Sequence, residues 1–201
     1  YNTNLIRAVE AALGEEGEAA QQVHILGTKG SRMLTARGHE PDVLYSDVVE
    51  KLDFIRVRNI VRDLVQQFLT GEVDQLRVFY TAFHSAGRQR PATVTVLPIQ
   101  PDTLLEGAED EESSGDADFI VEPDAPSLLQ VLLPKFLEVK VYSAILESLA
   151  SEFTYRRNAM KQATDAADDM IYSLTRAYNR ARQETITNEL LEVVSGAEAL
   201  K

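Results

Sequence analysis

The sequence contains no cysteine among its 201 residues. This absence excludes disulfide bonds, thiolate metal sites and cysteine nucleophiles. No apolar run approaches the roughly 20 residues that are needed to cross a bilayer. The chain opens with Tyr1 in place of methionine, and no basic stretch followed by an apolar core comes after it. We therefore expect no signal peptide, and a chain that is a fragment or a processed form.

Basic residues are few: 20 lysines and arginines face 32 acids, for a formal net charge of −12. Such a field does not attract nucleic acid or an anionic lipid surface, so neither is expected as a partner of the whole chain. Seven of the acids, and no base, fall within residues 106–118. Calcium loops hold their acids at fixed offsets around a glycine, and this run has no such register. It is predicted to be a solvated loop.

Short helix and strand patterns alternate through the first two thirds of the chain. The apolar spacing predicts helices over 4–13, 31–37 and 53–69, and strands over 23–26, 44–49, 76–80 and 92–97. The last two strands are predicted to form an antiparallel hairpin, joined by a long polar loop over 85–90. This alternation predicts an α/β, Rossmann-like layered domain with a mixed sheet, which we place at residues 1–123.

No catalytic constellation is apparent in the sequence. His24, His39 and His84 stand alone, without the neighbours of a metal site. The glycines at 27–31 (GTKGS) are too closely spaced for a phosphate loop, so we interpret them as a tight turn. We predict no catalytic residue, no metal and no cofactor. An α/β nucleotide-binding enzyme that uses Lys29 is kept as an alternative.

Glycine and proline are both absent from residues 135–195. A helix is expected to begin near Asp124, which can cap it, with Pro126 in the first turn. Pro134 is predicted to kink or restart the helix. The uninterrupted stretch corresponds to on the order of 90 Å of helix, which is far longer than a globular domain needs.

Two interleaved sets of residues, each repeating every seventh position, follow this helix, and only Arg156 among them is polar. The sets are Tyr142, Leu149, Arg156, Ala163, Met170 and Ala177, and Leu146, Phe153, Met160, Ala167, Leu174 and Ala181. Together they step by four and three residues, which is the heptad seam of a coiled coil. No other predicted helix is long enough to cover the seam. Its partner is therefore expected to be another chain, a second copy, or a segment outside this sequence.

Basic residues gather on the same helix although the protein is acidic. They are Arg156, Arg157, Lys161, Arg176, Arg180 and Arg182. A solvated face is the default interpretation. A basic collar that meets acidic loops of a partner is the alternative.

The sequence of the long helix resembles that of one family. The segments LESLASE (146–152), AMKQATD (159–165), YNRARQETITNEL (178–190) and SGA (195–197) resemble the C-terminal helix of the gamma subunit of F-type ATP synthases. NTNL (2–5), GTKG (27–30), VEPD (121–124) and LLPK (132–135) extend the resemblance over essentially the whole chain. The family differs at 154–158 (TYRRN), where it has small and apolar residues around one arginine, and at Ala166, where it commonly has asparagine. A divergent gamma-like paralogue and a stand-alone coiled-coil interaction protein therefore remain alternatives.

The resemblance implies a non-catalytic central rotor stalk. Such a stalk couples proton or sodium flow through the membrane c-ring to ATP synthesis or hydrolysis in the catalytic hexamer. The implied partners are the alpha and beta subunits, the epsilon subunit and the c-ring, with the membrane reached only through the complex. The implied location is peripheral to an energy-transducing membrane, on the cytoplasmic face of a bacterial plasma membrane.

The resemblance also implies contact residues. Residues 124–201 would form one half of an antiparallel coiled coil with an N-terminal helix of the family. Arg182, Gln183 and Thr187 match positions that face the hexamer, and Glu122 matches a position near the c-ring. The residues implied to face the partner helix are Leu146, Phe153, Met160, Ala163, Ala167, Met170, Leu174 and Ala181.

Overall fold

The computed structural model describes residues 2–15, 21–49, 52–100 and 124–198. Within these ranges the elements are α1 (Asn2–Glu15), β1 (His24–Leu26), α2 (Thr28–Thr35), β2 (Val43–Tyr45), α3 (Phe54–Thr70), β3 (Leu76–Ser85), β4 (Arg88–Leu97) and α4 (Ala125–Glu198). Every predicted element is present and in the predicted order, which confirms an α/β fold with a long terminal helix. The acidic run at 106–118 and Glu122 lie outside the described residues.

Parallel and antiparallel strand pairing both occur. β1 pairs with β2 in parallel, with His24 opposite Val43 and Leu26 opposite Tyr45. β3 and β4 pair antiparallel, from Leu76 opposite Leu97 to Ser85 opposite Arg88. In the described part of the chain these pairs form two separate two-stranded sheets.

The loop of the β3–β4 hairpin is much shorter than predicted. Only Ala86 and Gly87 lie between the strands, and the Gln89 side-chain amide donates to the carbonyls of Ser85 and Ala86 at 2.8 and 3.0 Å. The prediction of a long loop was wrong because the strand ends are exposed and polar, so they show no apolar alternation. Pro91 lies opposite Thr81, and an edge strand tolerates the missing N–H of proline.

Helix α3 forms almost where its sequence predicts it. Asp53 caps its N-terminus, since the Asp53 carboxylate accepts from the Ile55 amide at 3.0 Å. Gly71 ends the helix in the left-handed conformation, at φ 77°. Its apolar stripe buries Val57 and Val61.

The core of the α/β domain includes the first part of α4. The buried residues that pack together are Val48, Val57, Val61, Val96, Leu97 and Leu137. Tyr142 of α4 meets the Phe54 ring edge-on, with centroids 5.3 Å apart. The chain accordingly divides into two compact units, Tyr1–Phe153 and Thr154–Lys201.

Helix α4 is a single helix of 74 residues, about 110 Å of helix at 1.5 Å per residue. Asp124 caps it as predicted, because its carboxylate accepts from the Ser127 amide at 2.8 Å and from the Ser127 hydroxyl at 2.9 Å. These two hydrogen bonds lower the pKa of Asp124. The predicted restart at Pro134 does not occur, since the helix continues through this residue.

Candidate partner-binding surface on the long helix

All side chains from Arg156 to Glu198 on α4 are exposed. Large apolar residues are included, for example Met160 at 62% and Leu174 at 61% of full exposure. The described residues therefore leave this stretch of the helix uncovered. Contiguous apolar surface of this kind marks a binding surface on a folded protein.

The predicted seam falls into two parts in the structure. Tyr142 and Leu149 are half-buried in the first compact unit, whereas Leu146 and Phe153 are exposed. Further along, the predicted contact residues are all exposed on the one helix: Met160, Ala163, Ala167, Met170, Leu174 and Ala181. The available seam therefore lies mainly beyond Leu149, and the helix that covers it stays a prediction.

A second apolar stripe near the end of α4 was missed by the sequence analysis. Ile186, Leu190, Val193 and Val194 are exposed, and their spacing places them on one helix face. The heptad pattern ends at Ala181 because the next two seam positions, Glu184 and Asn188, are polar. A count at the 3.6-residue period of a straight helix identifies this stripe from the sequence alone.

The three residues predicted to face the hexamer do not share one face. Gln183 and Thr187 lie one turn apart, and the Thr187 hydroxyl donates to the Gln183 carbonyl at 2.8 Å. They line a shallow polar surface together with Arg180, Glu184 and Asn188. Arg182 is absent from that lining, because successive helix residues lie about 100° apart around the axis.

Charged residues along α4 also make local contacts. Arg180 donates from Nε to the Glu184 carboxylate at 3.0 Å, and both side chains are well exposed. The Arg176 guanidinium lies over the Tyr172 ring, 5.9 Å from its centroid. Exposed pairs of this kind contribute little to stability, so these arginines are available to a partner at small cost.

Only Gly27 of the GTKGS segment lies in the turn between β1 and α2, because α2 begins at Thr28 and contains the other four residues. The turn is therefore shorter than predicted, and the helix starts three residues before the predicted residue 31. Gly27 has a φ of 99°, and its amide donates to the Tyr45 carbonyl at 3.0 Å. A side chain at this position would be strained at that φ. Because the Gly27 amide is already bonded, the segment has one donor fewer for a phosphate, and the nucleotide alternative gains no support.

His24 belongs to the packing of the α/β domain. Its Nδ1 lies 3.3 Å from the Tyr45 hydroxyl. Burial lowers the pKa of His24, and the nearby Asp42 opposes that shift. Burial also raises the pKa of Tyr45, with a further contribution from Asp63. Nothing in this arrangement points to a catalytic role.

The described ranges contain neither a metal-ligating cluster nor a membrane-spanning helix. No group of three or more histidine and acidic side chains there is placed to hold a metal ion. None of the described helices combines the length and the apolar character needed to pass through a membrane.

Comparison with known proteins supplies the family. A family model described as ATP synthase matches residues 1–200. The ATP synthase gamma chain of Moorella thermoacetica is 42% identical over 201 residues, which is all of this chain and 68% of that one. The chain belongs to the ATP synthase gamma-chain family. The gamma chain of Symbiobacterium thermophilum is 38% identical over 201 residues and is covered to 67% of its length.

Solved structures show that the fold is shared. The central stalk and c-ring structure of the Tetrahymena thermophila mitochondrial ATP synthase has a chain similar at a TM-score of 0.58 and 21% identity, covering 81% of this chain and 69% of that one. A chain of the Euglena gracilis mitochondrial enzyme is similar at 0.60 and 20% identity, over 99% of this chain and 67% of that one. The gamma chain is the non-catalytic central stalk of ATP synthase, and the prediction of that role is confirmed.

Proposed function

We propose that α4 is the shaft that carries torque between the catalytic hexamer and the ion-driven c-ring. The observation that carries this proposal is the apolar seam, whose residues from Phe153 to Ala181 are exposed on a continuous 74-residue helix. A lone helix with exposed apolar residues is poorly stabilised in water. Two supercoiled helices bury the seam and resist twisting better than one helix does.

The seam residues would pack against an antiparallel partner helix. Ala163, Ala167 and Ala181 are small, which allows the two helix axes to approach closely. The polar surface around Gln183 and Thr187, with Arg182 on the adjacent side, would meet loops of the alpha and beta subunits. We assign residues 124–201 to the shaft.

We assign residues 1–123 to the part of the rotor outside the hexamer, next to the epsilon subunit and the c-ring. Glu122 would lie toward the c-ring. The chain would thus be peripheral to an energy-transducing membrane, on the cytoplasmic face of a bacterial plasma membrane. The bacterial origin of the similar gamma chains supports this location.

Co-purification with the catalytic subunits tests the proposal. The complete gamma chain that carries this sequence is expressed with alpha and beta subunits, and recovery of the complex is measured. We expect Met160→Glu with Leu174→Glu to abolish recovery, because two charges would enter a desolvated seam. Gln162→Glu, which lies off the seam, is the matched control and should assemble normally. A wild-type chain that fails to join the hexamer would refute the proposal.

The exposed seam also favours a second candidate, pairing of two copies of this chain. Sedimentation of the purified chain over a range of concentrations distinguishes the two. A dimer that persists when alpha and beta subunits are present would favour the stand-alone interaction protein. A dimer that dissociates to join the hexamer would favour the stalk.

A further inference from the structure

The edge of β3 that does not pair with β4 is hydrogen-bonded to side chains of α4. The Thr81 amide donates to the Ser148 hydroxyl at 3.0 Å, and the Phe83 amide donates to the Glu147 carboxylate at 3.0 Å. The Ser151 hydroxyl donates to the Thr81 carbonyl at 3.3 Å. Thr81 is 3% exposed and Ser151 is fully buried. Three backbone groups of one strand edge are thus satisfied by one short segment of helix.

Such groups need partners, because a buried backbone N–H or C=O without a hydrogen bond is costly. A neighbouring strand usually supplies the partners, and an open edge is otherwise covered. Here Glu147, Ser148 and Ser151 supply them. Residue 151 lies three and four positions after the other two, so all three side chains stand on adjacent rows of one helix face.

These contacts are directional, unlike the apolar contacts beside them. Leu137 and Ala144 are buried in the same unit, but hydrophobic burial depends on area and not on orientation. A rotation of α4 by one residue, about 100°, would remove all three hydrogen-bonding side chains from the β3 edge. The hydrogen bonds therefore favour one rotation of α4 about its own axis over rotations that differ by one residue.

We propose that Glu147, Ser148 and Ser151 form a strand-edge clamp that fixes the rotational register of α4 against the β3–β4 hairpin. Torque on the helix then reaches the α/β unit through this clamp. The torque part of the proposal rests on the proposed function, whereas the clamp itself does not. The three are positioning residues, since they touch no substrate.

Amide hydrogen exchange in the full chain tests the clamp residue by residue. We expect Ser148→Ala to speed exchange at Thr81 and not at Phe83, and Glu147→Ala to do the reverse, each by about fivefold, as loss of one hydrogen bond implies. Glu147→Gln keeps an acceptor oxygen and should restore protection at Phe83. The Ala82 amide is the internal reference, because successive amides of a strand point to opposite edges.

Two results of the exchange experiment would overturn the clamp. One is unchanged exchange at Thr81 and Phe83 in both alanine variants. The other is an equal increase at Thr81, Ala82 and Phe83, which would mean general loosening of the domain. Ser173→Ala is the matched control, because the Ser173 hydroxyl is exposed and donates within its own helix to the Met170 carbonyl at 2.9 Å. It should leave all three amides unchanged.

Ion pumping by the assembled complex tests the role in torque. Complexes with Glu147→Ala and Ser148→Ala together are placed in vesicles, and the ion gradient is measured at a matched rate of ATP hydrolysis. We expect assembly and hydrolysis to persist and the gradient to fall, with recovery in the Glu147→Gln, Ser148→Thr variant. An unchanged gradient in a variant with faster exchange would overturn the torque role. Failure of the wild-type chain to assemble refutes the proposed function instead, and the exchange result still decides the clamp.

Discussion

At the scale of single residues, His24 links the stability of the α/β domain to pH. Its pKa in the folded chain lies below the ordinary value of 6.5 because burial disfavours the charged ring. Between these two pKa values the unfolded chain binds more protons than the folded chain. His24 therefore contributes its full stabilisation above pH 6.5, and this contribution is lost as the pH falls through the folded pKa.

We expect the urea concentration at the midpoint of unfolding to decrease when the pH is lowered from about 7.5 to about 5.5. The decrease should be smaller in His24→Gln. The comparison uses that window because most carboxylates titrate below it. His39→Gln changes an exposed histidine and should keep the wild-type dependence. The same pH dependence in wild type and His24→Gln would contradict the assignment.

The ion pair between Glu138 and Arg62 gives the second prediction at the scale of residues. The Glu138 side chain on α4 is 6% exposed, and its carboxylate accepts from Arg62 Nε of α3 at 2.9 Å. We expect Arg62→Ala to lower the free energy of unfolding by about 1–2 kcal/mol, because it leaves a buried charge without this partner. The Arg62 side chain is 60% exposed, so solvent screening keeps the effect at this modest size.

A double-mutant cycle separates the pair from its surroundings. Urea unfolding is measured for Arg62→Ala, Glu138→Gln and the double variant. We expect the arginine substitution to cost less once Glu138 carries no charge. Additive costs would show that the two side chains do not interact.

At the scale of elements, local signals account for what could be predicted. Asp53 and Gly71 bound α3 within one residue of the prediction because caps act within one helical turn. β2 ended sooner than predicted, at Tyr45, and the hairpin strands ran further, to Ser85 and from Arg88. Strand ends depend on the neighbouring strand, which the local sequence does not contain.

The N-terminal cap of α4, which Asp124 supplies, gives a prediction at the scale of elements. We expect Asp124→Ala to speed exchange of the Ser127 amide, since the carboxylate that accepts from it is lost. Asp124→Asn keeps a capping oxygen and should retain most of the protection. Because the hydrogen bonds to Ser127 lower the Asp124 pKa below 3.8, the cap is intact above that pH and is lost as the pH falls through the folded value. Equal exchange in wild type and the alanine variant would show that the cap contributes nothing.

At the scale of the whole molecule, the candidate site was predictable only in part. The residues of the heptad seam all lie in one continuous segment of the chain, so the sequence alone identifies them. Tyr142 and Leu149 were placed in the same seam, yet both are half-buried in the first compact unit. Periodicity specifies a helix face but does not specify what covers that face.

The uncovered seam leads to a prediction that compares two states of the molecule. In the complex, Met160→Ala and Leu174→Ala should each weaken the assembly by about 2–5 kcal/mol, the cost of removing a buried side chain of that size. In the isolated chain both side chains are exposed, so the same substitutions should leave the free energy of unfolding almost unchanged. Urea unfolding of the free chain and dissociation of the complex measure the two effects.

Gln162→Ala removes an exposed polar side chain off the seam and should be neutral in both states. The contrast between the two measurements decides the interpretation, because a residue can lose only the contacts that it makes in a given state. If Met160→Ala destabilises the isolated chain as much as the complex, the seam is covered within the chain itself. The long helix would then be part of a self-contained fold, and torque would have to pass through other contacts.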